Sequence, residues 1–135
     1  MNPLLLPATD LTPSVVFRPD AGSLAFEGNC YPENPALFFR PIFSAVERMF
    51  RESSVGALEV TFRLSYVNSA STKALRRLLG LLNAMGEHGT VVQVAWIHDP
   101  DDDTMAELGR DLVEDLRFLT YRGGPEAAPA AAVGT

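Results

Sequence analysis

The clearest pattern in the chain is a strict alternation of apolar and polar residues from Leu58 to Tyr66. A period of two places every second side chain on the same face of a β-strand. The predicted inward residues are Leu58, Val60, Phe62, Leu64 and Tyr66. Strands covered by helices on both faces would form continuous apolar runs instead. The alternation therefore predicts a sheet that has helices on one face only.

Three other segments have apolar residues at spacings of three and four, which is typical of helices with one buried side. The predicted helices run from Ala36 to Arg51, from Asn68 or Ser69 to near Gly86, and from Asp101 to Leu116. Their predicted inward residues are Ile42, Val46, Met49 and Phe50, then Leu75, Leu78, Leu79, Leu82 and Met85, and finally Met105, Leu108 and Leu112. Pro41 removes one backbone hydrogen bond, so the first helix is expected to kink or to begin there.

Shorter apolar runs complete the predicted fold. Val15–Phe17 and Leu24–Phe26 flank a turn and predict a hairpin, while Val91–Ile97 and Phe118–Tyr121 predict two further strands. The order β-β-α-β-α-β-α-β requires right-handed crossovers between parallel strands. We therefore predict an α/β fold with a mixed, mostly parallel sheet in a single domain over residues 1–122. Residues 123–135 are rich in Gly, Pro and Ala and are predicted to be a disordered tail.

The composition narrows the choice of partners and compartments. The 135 residues include 17 acidic and 11 basic ones, with a net charge of -6 and no run of basic residues along the sequence. Nucleic acids and membrane surfaces are therefore not expected partners, because both attract clustered Lys and Arg. The N-terminal apolar segment lacks the positive charge of a signal peptide, and no run is long enough to cross a bilayer. We expect a cytoplasmic protein.

The residues that favour metals or catalysis do not form a recognised pattern. The single cysteine, Cys30, and two histidines cannot make a zinc site. The acidic run Asp99–Asp103 lacks the Gly and Glu of a calcium loop, since Thr104 and Arg110 occupy those positions. It is better explained as an acidic helix start, with weak magnesium binding as the alternative. A hydrolase based on His98 lacks a suitably spaced nucleophile, so we expect no catalytic residue, metal or cofactor.

Three hydroxyl residues, Ser69, Ser71 and Thr72, lie where a predicted strand passes into a helix. The free backbone N–H groups and the dipole of a helix start favour an anion. A phosphate on Ser69 would therefore be accommodated there, and Lys73, four residues later, could pair with it. Helix capping alone accounts for the same residue types. Both explanations remain open on spacing alone.

Three segments, taken together, resemble the SiaC family of regulatory phosphoproteins: Gly28–Asn34, Tyr66–Lys73, and Trp96 followed by Asp101–Gly109. The resemblance extends from about Pro13 to Phe118. It implies a fold like the STAS domains of anti-anti-sigma factors. It also implies phosphorylation at the start of the second helix by a dedicated serine/threonine kinase, and dephosphorylation by a PP2C-type phosphatase. In the best-known system of the family, the unphosphorylated form binds and activates a diguanylate cyclase.

Carried over by position, the phosphoacceptor of the family falls on Ser69, with Ser71 and Thr72 as alternative acceptors. The family often has Thr followed by Ser where this chain has Ser69 and Ala70, and Ser is frequent where this chain has Cys30. Asn34 is expected to cap the helix that follows it. The residues predicted to face partners are Tyr31, Glu33, Asn34, Asn68 and Lys73.

These expectations combine into a regulatory adaptor that is switched by phosphorylation and is not an enzyme. Its expected partners are the kinase, the phosphatase and an effector such as a diguanylate cyclase. The alternative is a STAS-like module that binds a nucleotide or another small anion at the same helix start and is never phosphorylated.

Overall fold

A computed structural model describes residues 2–52 and 56–125 and contains one six-stranded sheet with three helices. The strands are β1 (Leu4–Leu6), β2 (Ser14–Arg18), β3 (Ser23–Cys30), β4 (Ala57–Val67), β5 (Val91–Ile97) and β6 (Thr120–Gly124). The helices are α1 (Pro35–Glu52), α2 (Ser69–Glu87) and α3 (Asp103–Val113). The strands lie in the sheet in their chain order. β1, β2 and β3 pair antiparallel, and β3 to β6 pair parallel.

All three helices cover the same face of the sheet. Each new parallel strand is added on the same side of the previous one, so right-handed crossovers place every connecting helix on one face. The strand register aligns Phe26 with Phe62 and Phe62 with Trp96 on the buried face, and the rings of Phe26 and Phe62 stack with centroids 4.9 Å apart. The predicted α/β fold with a mixed sheet and helices on one face is confirmed.

The predicted hairpin is also confirmed, and the close approach of Gly22 to the start of β4 fixes its position. A single 3-10 turn, Pro19–Ala21, joins β2 to β3, and Gly22 follows it with φ 67°. That φ favours glycine. A side chain at this position would also collide with the carbonyl oxygen of Ala57, at the start of β4. The turn can therefore pack directly against the neighbouring strand.

Helix α1 differs from its prediction because it begins at Pro35 and continues past Pro41. The Asn34 side chain caps it by accepting a hydrogen bond from the backbone N–H of Leu37 at 3.1 Å. Pro41 is exposed and lies near the start of the helix. The backbone carbonyl that loses its N–H donor to this proline can therefore be reached by water, which keeps the cost of the proline low.

The two ends of the sheet also differ from the predictions. β1 was not predicted, because three consecutive leucines between Pro3 and Pro7 show no period. The last strand begins at Thr120 and includes Gly123 and Gly124, which pair with β5 through their backbones. Gly123 and Gly124, which were predicted to belong to the tail, are therefore part of the sheet. Residues 126–135 of the predicted tail lie outside the described residues. No helix in the described ranges is long and apolar enough to span a membrane.

Candidate functional site

The candidate site lies at the sheet edge where β3 and β4 end side by side. Parallel strands end at the same edge, and the loops that follow them meet there. The register of this pair shifts between Gly28 and Asn29, so Asn29 lies opposite Tyr66 and Cys30 opposite Val67. The shift brings the loop after Cys30 next to the first residues of α2.

Asn68 joins the two loops and caps α2. Its side-chain oxygen accepts a hydrogen bond from the backbone N–H of Ser71 at 2.9 Å. Its side-chain nitrogen donates to the carbonyl oxygen of Pro32 at 3.4 Å, and its backbone N–H donates to the carbonyl oxygen of Cys30 at 3.1 Å. The amide of Asn68 is thus bonded within the protein at both ends, so Asn68 positions the site.

The three hydroxyl groups at the start of α2 have different surroundings. Ser69 is the first residue of the helix and is exposed. Ser71 is fully buried, and its hydroxyl has no hydrogen-bond partner in the described part of the chain. Thr72 is half-buried and donates its hydroxyl to the carbonyl oxygen of Asn68 at 3.2 Å. Among these three groups, only the Ser69 hydroxyl is both exposed and free of a bond to the helix backbone.

Cys30 lies beneath this helix start as part of the core. Burial raises the pKa of its thiol to about 11, and the nearby Ser71 hydroxyl opposes this shift only in part. The contact between the two side chains does not meet the criteria of a hydrogen bond, so the Ser71 oxygen has no hydrogen-bond partner among the residues that the structure describes. Cys30 is therefore protonated at neutral pH, and its environment does not activate it as a nucleophile.

The predicted Tyr31–Asn34 segment forms the other side of the site. The ring of Tyr31 packs edge-to-face against that of Tyr66, with centroids 5.2 Å apart. Pro32 is buried, whereas Glu33 and Asn34 are exposed. Because Asn68 donates to Pro32, this segment is held beside the start of α2.

Tyr66 is a surface residue that the alternation pattern did not identify. It occupies an inward position of the pattern, yet 53% of its surface is exposed. β4 continues to Val67, and Tyr66 lies at the end of the strand, directly before the loop that leads to α2. The available signal was its position as the last aromatic residue before a loop, because an amphipathic ring is well suited to a surface contact.

A pocket of about 510 Å³ lies further along the same edge, beside the ends of β4 and β5. Its lining includes Arg63 and His98 together with Asp99 and Asp102. Asp102 caps α3 by accepting from the backbone N–H of Met105 at 3.0 Å, as expected for an acidic helix start. No group of three or more His, Cys, Asp or Glu side chains within the described ranges is placed to hold a metal ion. The mixed charges of the lining favour neither an anion nor a cation.

The chain matches a known protein family and a related protein sequence. A family model described as SiaC family regulatory phosphoprotein matches residues 6–122. A protein from Pseudomonas aeruginosa strain UCBPP-PA14, described as uncharacterized, is 34% identical over 118 residues. That alignment covers 87% of this chain and 93% of the relative.

Solved structures from Pseudomonas aeruginosa have the same fold. A chain in the crystal structure of the diguanylate cyclase SiaD in complex with its activator SiaC superposes with a TM-score of 0.85 and 32% identity. A structure of SiaC superposes with a TM-score of 0.82 and 32% identity. Each match covers 91% of this chain and 99% of the matched chain.

Proposed function

Because the chain belongs to the SiaC family of regulatory phosphoproteins, we propose that it is an adaptor switched by phosphorylation of Ser69. A dedicated serine/threonine kinase adds the phosphate, and a PP2C-type phosphatase removes it. The unphosphorylated form binds an effector protein. In this proposal the chain regulates an enzyme and performs no catalysis itself.

The observation that carries this proposal is the contrast among the three hydroxyl groups of α2. A kinase must place the acceptor oxygen next to the γ-phosphate of its nucleotide, which requires an accessible side chain. Ser69 is exposed, whereas Ser71 is buried and Thr72 is bonded to the helix backbone. Phosphorylation of Ser71 would require the first turn of the helix to open. The accessible surface therefore supports Ser69 as the acceptor.

The position of Ser69 also explains how the helix tolerates the modification. A phosphate adds a charge of about -1.5 to -2 at neutral pH. At the first residue of α2, this charge lies at the positive end of the helix dipole, close to backbone N–H groups that have no acceptor within the helix. Lys73 is exposed one turn later on the same side. Phosphorylation therefore changes the surface charge and leaves the helix intact.

A diguanylate cyclase is the effector class that the comparisons support. SiaC of Pseudomonas aeruginosa is described as the activator of the diguanylate cyclase SiaD, and this chain has the same fold as SiaC. The pair of Tyr31 and Tyr66 beside Ser69 supplies an aromatic contact surface for such a partner. Burying a phosphate against that partner would cost several kcal/mol, because the single charge of Lys73 does not neutralise a group of charge about -1.5 to -2. Phosphorylation would therefore release the effector.

Mass spectrometry of the protein purified from its own host tests the acceptor assignment. We expect a single phosphate that is removed by phosphatase treatment and maps to Ser69. The Ser69→Ala variant should lose the phosphate, because no equivalent hydroxyl is exposed in the first turn. The matched variant Thr72→Ala should keep it.

Two outcomes would contradict the proposal. A phosphate that persists at full occupancy in Ser69→Ala would show that another residue is the acceptor. A complete lack of phosphate in all growth conditions would favour the module that binds an anion and is not phosphorylated.

A further inference from the structure

The outer surface of α1 and α2 carries a cluster of exposed basic residues. We call it the basic face, and its members are Arg40, Lys73, Arg76 and Arg77. None of the four forms a salt bridge within the described residues. Arg76 donates to the backbone carbonyl oxygen of Asp111 at 3.4 Å, and the guanidinium of Arg77 lies 4.5 Å above the ring of Phe43. Their charges are therefore free to act on a partner.

The basic face is continuous with the proposed phosphoacceptor. Lys73 and Arg77 follow Ser69 at intervals of four residues, and such residues lie on the same side of a helix. Arg77 reaches across to Phe43 on α1. Arg40 lies three residues before Phe43, on the adjacent turn of that helix. The side chains from two helices thus form one surface that begins at Ser69.

The parts of α1 and α2 that carry these four residues contain no acidic residue, although the whole chain has a net charge of -6 and Arg76 lies next to Asp111 of α3. The first acidic residue of α1 is Glu47, and the only acidic residue of α2 is Glu87 at its last position. Neither helix has an acidic residue in its first turn, whereas α3 has Asp103 there. Lys73, Arg76 and Arg77 lie within five residues of one another in the sequence, whereas Arg40 is far from them along the chain. The packing of α1 against α2 brings them together.

We propose that the basic face binds an acidic segment of a partner protein, and that a charge at Ser69 weakens this binding. Charge complementarity defines the partner, since four exposed cations that form no salt bridge within the described residues attract carboxylates. From Ser69 to Arg77 the helix spans about 12 Å, which matches a short acidic segment better than an extended polyanion. A phosphate on Ser69 would pair with Lys73 and compete for the same surface. The identification of this partner with the effector rests on the proposed function, whereas the binding itself does not.

A short fluorescent oligoglutamate peptide is the probe for this surface, and fluorescence anisotropy at low ionic strength is the measurement. We expect the unphosphorylated protein to bind the peptide and to lose affinity as salt is added. The double variant Arg40→Glu with Lys73→Glu should bind about ten-fold more weakly, because two attractive charges become repulsive. Arg117→Glu reverses one charge at an exposed residue in the segment between α3 and β6, as Lys73→Glu does on α2, and it should bind like the wild type.

The charge of residue 69 is tested with the same peptide. Ser69→Glu should bind the peptide several-fold more weakly than Ser69→Ala, because only the glutamate adds a negative charge. Lys73→Glu alone provides a second variant if the double variant fails to fold, since Lys73 is exposed at the protein surface. Circular dichroism and thermal unfolding identify variants that have lost the fold.

Several outcomes would overturn the proposal. Equal affinity of the double variant and Arg117→Glu would show that the basic face does not bind the acidic peptide. Tighter binding of tRNA or of phosphatidylserine vesicles, lost in the double variant, would assign the surface to another class of partner. The experiment uses unphosphorylated protein. A failure to find phosphate on Ser69 would therefore defeat the proposed switch without altering the peptide result.

Discussion

Ser71 and Cys30 show how single residues shape the candidate site. The sequence could predict that Ser71 points inward, because it lies four residues before Leu75 and seven before Leu78 on the buried side of α2. It could not predict that Cys30 lies beneath it, since that contact depends on the register shift at the end of β3. The identity of the accessible hydroxyl was thus partly predictable from spacing, but its buried neighbour required the structure.

Replacing Ser71 by alanine should stabilise the protein. The hydroxyl is fully buried and has no hydrogen-bond partner in the described part of the chain, so it loses its hydration without compensation. Alanine removes that cost and is also the better helix former. We expect the free energy of unfolding to increase by about 0.5–1.5 kcal/mol, as measured by urea denaturation. The control Thr72→Ala removes a hydroxyl that is hydrogen-bonded and should not give this gain. A loss of stability in Ser71→Ala would mean that the hydroxyl has a partner, such as a buried water.

The secondary-structure elements differ in how well the sequence predicted them. α2, β4 and β5 have long, regular patterns, and their predicted limits agree with the structure to within one or two residues. β1 consists of three residues, and its pairing with β2 depends on backbone hydrogen bonds that have no sequence pattern. β6 ends in two glycines, which also pair through backbone hydrogen bonds and have no sequence pattern. β1 was therefore missed, and β6 was predicted at Phe118–Tyr121, two residues before its observed start.

Helix α3 packs closely against the sheet at Gly109. A side chain there would collide with the ring of Trp96 and with the hydroxyl of Tyr121. Gly109→Ala should therefore lower the free energy of unfolding by about 1–3 kcal/mol. Gly80→Ala is the matched control, because a methyl group at Gly80 on α2 meets no atom within 4 Å. It should raise the stability by up to about 1 kcal/mol. Urea denaturation of both variants checks the prediction, which is wrong if the two substitutions change stability in the same direction.

The stability of the whole molecule should decrease at alkaline pH. Burial raises the pKa of the Cys30 thiol from 9.0 to about 11, and it raises the pKa of Tyr121 to about 12 against the opposing charge of Arg110. Both groups lose their protons more readily in the unfolded chain. The stability that they contribute is fully present below pH 9 and is lost as the pH rises through the folded values.

Between pH 9 and pH 10.5, the thiol should dominate this loss, at up to about 1.4 kcal/mol per pH unit. Cys30→Ala should reduce the slope in this range, although its stability at neutral pH will be lower because of the lost volume. Tyr121→Phe should keep the slope below pH 10 and reduce it only at higher pH. Urea denaturation at a series of pH values measures each slope. An unchanged slope in Cys30→Ala would show that the thiol does not control the alkaline loss.

The strand order of the sheet has a consequence for the folding of the chain. Because each strand pairs with the next one in sequence, the sheet can grow by one strand at a time in chain order. During synthesis, each strand can join the growing sheet edge soon after it leaves the ribosome. The loops that meet at Asn68 can adopt their final positions once β5 has paired with β4, before α3 and β6 have been synthesised. The surface around Ser69 can therefore form on the nascent chain, while the last quarter of the protein is still being synthesised.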